Sequence, residues 1–138
     1  MKKKEIIALD TNIVLRCILD EDTEQSKVAL LLIENDSYKF YISVQVFVEL
    51  EYALIHHYEY KRENVVKSIE YILSMKKIVF IKDSIRKVLF ETLEIYKKKN
   101  TLSFVDCLLF FEAKKIAGCT LYTFDKKLAG LDGVRLLI

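Results

Sequence analysis

Short apolar runs that alternate with helix-like stretches constrain the fold of this chain more than any other feature. The runs are nearly continuous rather than alternating apolar and polar, which is typical of strands buried on both faces of a parallel sheet. The predicted strands are residues 6–9, 39–43, 77–81, 119–124 and 134–138. Helices are predicted between them at residues 11–19, 20–35, 44–58, 63–75, 85–99 and 103–117. This order predicts an α/β fold with a mainly parallel central sheet covered by helices.

Length and composition predict one domain, spanning residues 1–138. The formal net charge is only +2, so total charge alone does not predict nucleic-acid binding. The three cysteines match no zinc-binding spacing and are interpreted as reduced core residues of a cytoplasmic protein. Asp10 and Arg16 interrupt the apolar N-terminal segment, so neither a secretion signal nor a membrane span is predicted.

Four acidic residues stand in apolar surroundings. Asp10 and Asp125 end the segments "IIALD" and "LYTFD", directly after predicted strands. The carboxyl ends of parallel strands meet at one edge of a sheet, where ligands bind. Glu49 in "VFVEL" and Asp106 in "FVDCLLFF" lie near the starts of predicted helices. We therefore expect the four carboxylates to converge at one edge of the sheet.

Carboxylates that converge repel each other, by about 4 kcal/mol for a pair ~4 Å apart at an effective dielectric of about 20. Either some of them stay protonated or a divalent cation holds them together. Oxygen ligands favour Mg²⁺ or Mn²⁺ over zinc, and the adjacent His56 and His57 are interpreted as ordinary helix-end residues. Two such ions about 4 Å apart can hydrolyse a phosphodiester without a catalytic histidine.

Each acid also has a purely structural interpretation. Asp10 is equally well explained as the N-cap of a helix, Glu49 as a residue on an exposed helix face, and Asp125 as the first residue of a turn. Asp106 is hardest to explain in this way, because its neighbours are apolar on nearly all sides. It would still cap its helix if that helix began later than predicted. Singly, none of the four acids identifies a function.

Taken together, four segments resemble the PIN domain, specifically the small VapC-type toxin ribonucleases of bacterial and archaeal toxin–antitoxin pairs. The segments are "ALDTNIVLRCILDED", "ISVQVFVELEYAL", "LSFVDCLLFFEAKKIAG" and "LYTFDKKLAGLDGV". Their order, their spacing and the Asp-Thr-Asn and Thr-Phe-Asp contexts match jointly. The resemblance implies a three-layer α/β/α sandwich and a Mg²⁺- or Mn²⁺-dependent endoribonuclease.

The resemblance also implies roles for individual residues. The catalytic and metal-binding residues would be Asp10, Glu49, Asp106 and Asp125. Asn12 and Thr123 match positions that support the acids by hydrogen bonding. Many relatives carry a further carboxylate where this chain has Ser103, which leaves one-metal and two-metal mechanisms open. Ser103 is alternatively interpreted as a helix cap.

Lysines near the acids are candidates for contacts with RNA, and one segment is a candidate for binding a protein partner. Cations beside an acidic site offset its repulsion of RNA, and the candidate contacts are Lys97, Lys98, Lys99, Lys126 and Lys127. The resemblance further implies a cognate antitoxin and a homodimer. Segment 51–73 mixes large apolar residues with Tyr and His, and it is interpretable either as an exposed groove for a partner helix or as core.

Two other functions remain open. One is a Mg²⁺-dependent phosphohydrolase or phosphotransfer domain with an aspartate nucleophile. The haloacid-dehalogenase pattern, however, expects a second acid at the position of Asn12, and a receiver domain would have only Asp83 as phosphoacceptor. The other is a PIN scaffold that binds RNA or protein without catalysis, although such scaffolds lose acids and this chain has all four.

Overall fold

The computed structural model describes residues 3–138, which form five β-strands and six α-helices. The strands are β1 (Glu5–Ala8), β2 (Tyr38–Tyr41), β3 (Ile78–Val79), β4 (Leu121–Thr123) and β5 (Val134–Leu136). The helices are α1 (Thr11–Ile18), α2 (Glu24–Ile33), α3 (Val44–His56), α4 (Arg62–Ser74), α5 (Asp83–Lys98) and α6 (Phe104–Phe111). They belong to two compact units, which divide within α5 after Arg86. No helix within residues 3–138 combines the length and apolar character needed to cross a membrane.

The first unit is built on a three-stranded sheet in the order β1-β2-β3. Both pairings are parallel, with Ile7 opposite Phe40 and Phe40 opposite Ile78, which confirms the predicted α/β class with parallel strands. Phe40 and Ile78 are buried, whereas Ile6 is 55% exposed. The prediction that the first strand is buried is therefore wrong: of residues 6–9 only Leu9 is buried, Ile7 is half-buried, and Ile6 and Ala8 are exposed, because β1 is an edge strand of this sheet. On the helical side, α1 packs against α2 and α3, and α3 packs against α4.

The second helix begins later than the sequence predicts. Thr23 is its N-cap, and its hydroxyl accepts a hydrogen bond from the Ser26 N–H at 3.1 Å. A Thr cap satisfies one of the N–H groups that a first helical turn leaves unpaired, so α2 begins at Glu24 rather than at residue 20. The acidic residues before Thr23 lie outside the helix, and one of them, Glu21, pairs with Arg16 of α1.

Segment 51–73 contributes mainly to the core. Its buried apolar side chains are those of Leu54, Val65, Val66, Ile69, Ile72 and Leu73. Its large exposed apolar side chains are Tyr52 and Tyr71, at 56% and 67% exposure. The sequence left two interpretations open, an exposed groove or part of the core, and most of this segment is part of the core. The rings of His56 and His57 lie 4.3 Å and 5.9 Å from the ring of Tyr52 at the exposed end of α3.

The second unit pairs β4 with β5, again in parallel, with Tyr122 opposite Arg135. Tyr96 of α5 and Phe104 of α6 are fully buried, and their rings meet edge to face with centroids 5.9 Å apart. The helix predicted over 103–117 is present as α6 followed by a π-helical turn at Glu112–Ile116. Gly118, at φ +66°, ends it in a backbone conformation that glycine adopts without steric cost.

The three cysteines occupy different environments. Cys107 is buried as predicted, Cys17 is partly buried and Cys119 is exposed. The core prediction is wrong for Cys119, because Gly118 turns the chain out of the helix just before it. Burial, with a smaller contribution from the Glu34 carboxylate, raises the pKa of the Cys17 thiol. The thiol therefore stays protonated near neutral pH and is a poor nucleophile.

Candidate active site

Asp10 lies two residues after β1 and forms the N-cap of α1. Its backbone is extended, and its Oδ1 accepts a hydrogen bond from the Ile13 N–H at 3.1 Å. The carboxylate is exposed and faces the positive end of the helix dipole. Oδ2 accepts no hydrogen bond from any described residue. The local sequence thus orients this carboxylate through one oxygen and leaves the other available.

Glu49 lies on the exposed face of α3, one turn after Gln45. Its Oε2 accepts a short hydrogen bond from the hydroxyl of Thr11, at a place where α1 packs against α3. Because Thr11 directly follows Asp10, this bond ties Glu49 to the start of α1. Thr11 is not among the residues predicted from the sequence, although its position between Asp10 and Asn12 was an available signal.

Asp106 is the third residue of α6 and is partly buried. Its Oδ2 accepts a hydrogen bond from the Ser103 N–H at 3.3 Å, and the Ser103 hydroxyl accepts one from the Asp106 N–H at 3.2 Å. This reciprocal pair is a capping box, which satisfies two backbone donors at the start of a helix. Ser103 is therefore the N-cap of α6, as one of its two interpretations predicts.

Asp125 lies two residues after β4, as Asp10 lies two residues after β1. Its Oδ1 accepts hydrogen bonds from the N–H groups of Lys127 and Leu128, at 2.8 Å and 3.4 Å. These bonds open the short 3₁₀ helix Leu128–Gly130. The hydroxyl of Thr123 accepts a hydrogen bond from the Asp125 N–H at 3.0 Å. Thr123 therefore contacts the backbone of Asp125 and not its carboxylate.

One arrangement is common to the three aspartates. In Asp10, Asp106 and Asp125, one carboxylate oxygen accepts backbone N–H groups at the start of a helical segment, and the second accepts none from the described residues. Capping occupies one oxygen of each carboxylate and leaves the other for a further ligand. The structural interpretation is correct for Asp10 and Asp125, whereas Asp106 is not the N-cap of α6 but the partner of Ser103 in its capping box. These structural roles leave the catalytic interpretation open.

The chemistry of these donors fits a hard divalent cation. Carboxylate oxygens without nearby thiolate or imidazole ligands suit Mg²⁺ or Mn²⁺. The first unit carries Asp10 and Glu49, and the second carries Asp106 and Asp125. Within residues 3–138, neither unit contains three Asp, Glu, His or Cys side chains grouped to hold a metal ion. Neither pair of acids is therefore a complete metal site by itself.

The remaining predicted residues are placed as follows. Asn12 is exposed in the first turn of α1, and its side chain makes no hydrogen bond to an acid in the described part of the chain. Lys97 pairs with Glu94 at 3.0 Å. All five lysines predicted to meet RNA are exposed, at the end of α5 or directly after Asp125. Their positive charge is thus accessible to a polyanion.

Removal of the Ser103 hydroxyl tests the capping box. Ser103→Ala is expected to lower the free energy of unfolding by about 1 kcal/mol, because the Asp106 N–H loses its acceptor. Ser103→Asp should keep the stability, since Asp is an equally good N-cap. Urea unfolding followed by circular dichroism measures both. Equal destabilisation by Ala and Asp would contradict the capping role.

Known proteins resemble this chain over most of its length. A family profile described as PIN domain matches residues 7–134. A curated relative, "VapC ribonuclease" from Aquifex aeolicus (strain VF5), is 28% identical over 122 residues, covering 86% of this chain and 87% of the relative. No solved structure matches the chain significantly.

Proposed function

The chain belongs to the PIN domain family, and from that premise we propose that it is a metal-dependent endoribonuclease, the toxin of a type II toxin–antitoxin pair. The observation that carries the proposal is the arrangement of Asp10, Asp106 and Asp125, each oriented through one oxygen with the other left available. The similarity to a VapC ribonuclease along most of both chains supports the choice of RNA.

In this proposal the metal-binding residues are Asp10, Asp106, Asp125 and Glu49. These carboxylates would hold Mg²⁺ or Mn²⁺, which would supply an activated water for attack on the phosphodiester and a positive charge to stabilise the leaving oxygen. The caps at Asp10, Asp106 and Asp125 fix the carboxylates before the ion arrives, which reduces the cost of ordering them. Thr11 orients Glu49 in the same way. The assignment of all four acids to one centre in one domain is supported by the family profile, which extends over both units.

The chemistry of the RNA ends tests this function. The protein is incubated with a labelled RNA and Mg²⁺, and the ends of the products are analysed. Hydrolysis by an activated water leaves a 5′-phosphate and a 3′-hydroxyl. A 2′,3′-cyclic phosphate would indicate attack by the RNA 2′-hydroxyl and contradict the proposal. A phospho-aspartate trapped with beryllofluoride would favour the phosphotransfer alternative instead.

Lys126 and Lys127 are proposed to bind phosphates of the RNA. Replacing both with glutamine is expected to weaken binding and to reduce the slope of log K against log salt by about 0.7 for each phosphate that the protein no longer neutralises. Filter binding at several salt concentrations measures the slope. The control removes two other exposed lysines, with Lys27→Gln and Lys87→Gln. A slope unchanged in the Lys126/Lys127 variant would show that these side chains do not bind RNA.

An antitoxin partner is part of the proposal and is supported by the similarity to a VapC ribonuclease. The first unit contains a mainly apolar cavity of about 510 Å³ between α1, α2 and α4. Side chains that line it include Ile18, Leu30, Ile33, Tyr71 and Met75. Leu30 and Tyr71 are 40% and 67% exposed, so an apolar segment of a partner would gain buried area there. We further propose that the protein forms a homodimer and that it acts in the cytoplasm.

A further inference from the structure

A second cavity, of about 440 Å³, opens between α1 and α2 in the first unit. Asp10, Asn12 and Arg16 line it from α1 and its N-cap, and Gln25 and Leu32 line it from α2. Its volume lies in the range of pockets that bind small ligands. Because Asp10 belongs both to this cavity and to the proposed metal site, a group bound in the cavity would adjoin the reacting phosphate.

Arg16 is the one cationic residue lining this cavity among residues 3–138. Its Nη1 donates to the Glu21 carboxylate at 2.8 Å, and its side chain is 30% exposed. A guanidinium has five N–H donors, and no other described residue accepts from Arg16. Glu21 therefore orients the group while leaving donors for a phosphate. Arg16 follows Asp10 by six positions, about 9 Å along a helix axis.

Apart from Arg16 and the carboxylates of Asp10 and Glu24, the lining is neutral amide and apolar surface. The side chains of Asn12 and Gln25 make no hydrogen bond with the described residues. Each amide offers a donor and an acceptor together, the combination that pairs with the edge of a nucleobase. Ile13, Val28 and Leu32 supply apolar surface for the face of a base.

We propose that this cavity is the subsite for the nucleoside next to the scissile bond, in which Arg16 binds the neighbouring phosphate and Asn12 and Gln25 select the base. The inference rests on the proposed RNA cleavage and names its specificity determinant. An RNA nucleotide fits better than an acidic peptide, because Asp10 and Glu24 also line the cavity and repel further negative charge. A nucleotide brings a single phosphate to Arg16 and an uncharged base to the remaining walls.

Cleavage kinetics test the assignment. The substrates are short RNAs that differ only in the nucleotides flanking the mapped cleavage site. Arg16→Gln is expected to raise KM roughly 10-fold or more with little change in kcat, since a charged hydrogen bond to a non-reacting phosphate is lost. Gln25→Ala is expected to reduce the preference among bases by roughly 2- to 10-fold.

The controls lie outside the cavity. Lys27→Gln removes one positive charge from α2, and Gln45→Ala truncates the other glutamine of the chain, which is exposed on α3. Both should keep the wild-type base preference and melting temperature. The cavity variants should also keep the melting temperature, because the Arg16–Glu21 pair is partly exposed and contributes little stability. Cavity variants with wild-type KM and wild-type preference would overturn the inference, as would variants that lose only antitoxin binding.

A binding measurement separates this inference from the proposed function. The metal-free wild-type protein is titrated with the four nucleoside 5′-monophosphates, and the side-chain amide resonances of Asn12 and Gln25 are followed by NMR. Shifts that differ between bases and disappear in Arg16→Gln support the subsite even if the protein cleaves no RNA. Amide resonances that stay unchanged with all four nucleotides overturn the subsite even if RNA is cleaved.

Discussion

Asp10→Asn is expected to reduce RNA cleavage by more than about 100-fold while the protein remains folded. Loss of a residue that only supports a metal ligand typically costs about 10- to 100-fold, so loss of Asp10, which is proposed to bind the metal directly, should cost more. Asparagine is as good an N-cap as aspartate, so its side-chain oxygen can still accept from the Ile13 N–H. What disappears is the negative charge and the second oxygen. Initial cleavage rates and the melting temperature measure the two effects separately.

Asp36→Asn is the matched control. Asp36 is an exposed aspartate in the same unit, and the hydrogen bond and charge of Lys77 lower the pKa of its carboxyl. Asp36 precedes β2 whereas Asp10 follows the parallel strand β1, so the two lie at opposite edges of this sheet. Asp36→Asn therefore removes the same charge away from Asp10, and cleavage should stay at the wild-type rate. If Asp10→Asn cleaved RNA as fast as wild type, Asp10 would have only its capping role. If Asp36→Asn were equally inactive, the loss would be a general effect of charge.

Removal of divalent metal is expected to abolish cleavage, and added Mg²⁺ or Mn²⁺ should restore it. A ligand that binds only the folded state also stabilises it, by about 2.7 kcal/mol at 100 times its dissociation constant. The melting temperature of the wild type should therefore rise with metal concentration. Thermal unfolding after EDTA treatment and metal titration measures this shift, together with cleavage of the same RNA.

Asp10→Asn provides the comparison for the metal titration. This variant should show a smaller rise in melting temperature, because it has lost one carboxylate of the proposed set. Asp36→Asn should respond to metal as the wild type does. Cleavage that persists in EDTA would refute a metal-activated water. An equal rise in all three proteins would place the metal elsewhere on the molecule.

Asp106 shows how the position of an acid within a helix decides its surroundings. Its apolar neighbours make full exposure hard to arrange, and Asp106 is only partly exposed, although the neighbouring Val105 and Leu109 are 47% and 46% exposed. The physical reason is the start of α6 at Phe104. A first helical turn leaves backbone N–H groups unpaired, and a carboxylate placed there has hydrogen-bond partners even where it is partly buried.

The surroundings of segment 51–73 were harder to predict from the sequence than the acids. Helical periodicity in segment 51–73 identifies an apolar face but not what covers it. The structure buries Leu54, Ile69 and Leu73 while leaving Tyr52 and Tyr71 exposed. Nor did any residue pattern indicate that α1 and α2 line a cavity beside Asp10, because helix packing creates that space.

The sequence by itself determined the order of strands and helices, the parallel pairing and the aspartates that follow β1 and β4. Apolar runs separated by helix-like segments predict the strands and their parallel order, and the helix starts depend on local hydrogen bonds, such as Asp10 with Ile13 and Ser103 with Asp106. Only the tertiary structure decided that Thr11 binds Glu49, 38 positions away, and that Arg16 lines a cavity with Gln25. Contacts of this kind depend on how helices pack against one another, which local residue patterns do not encode.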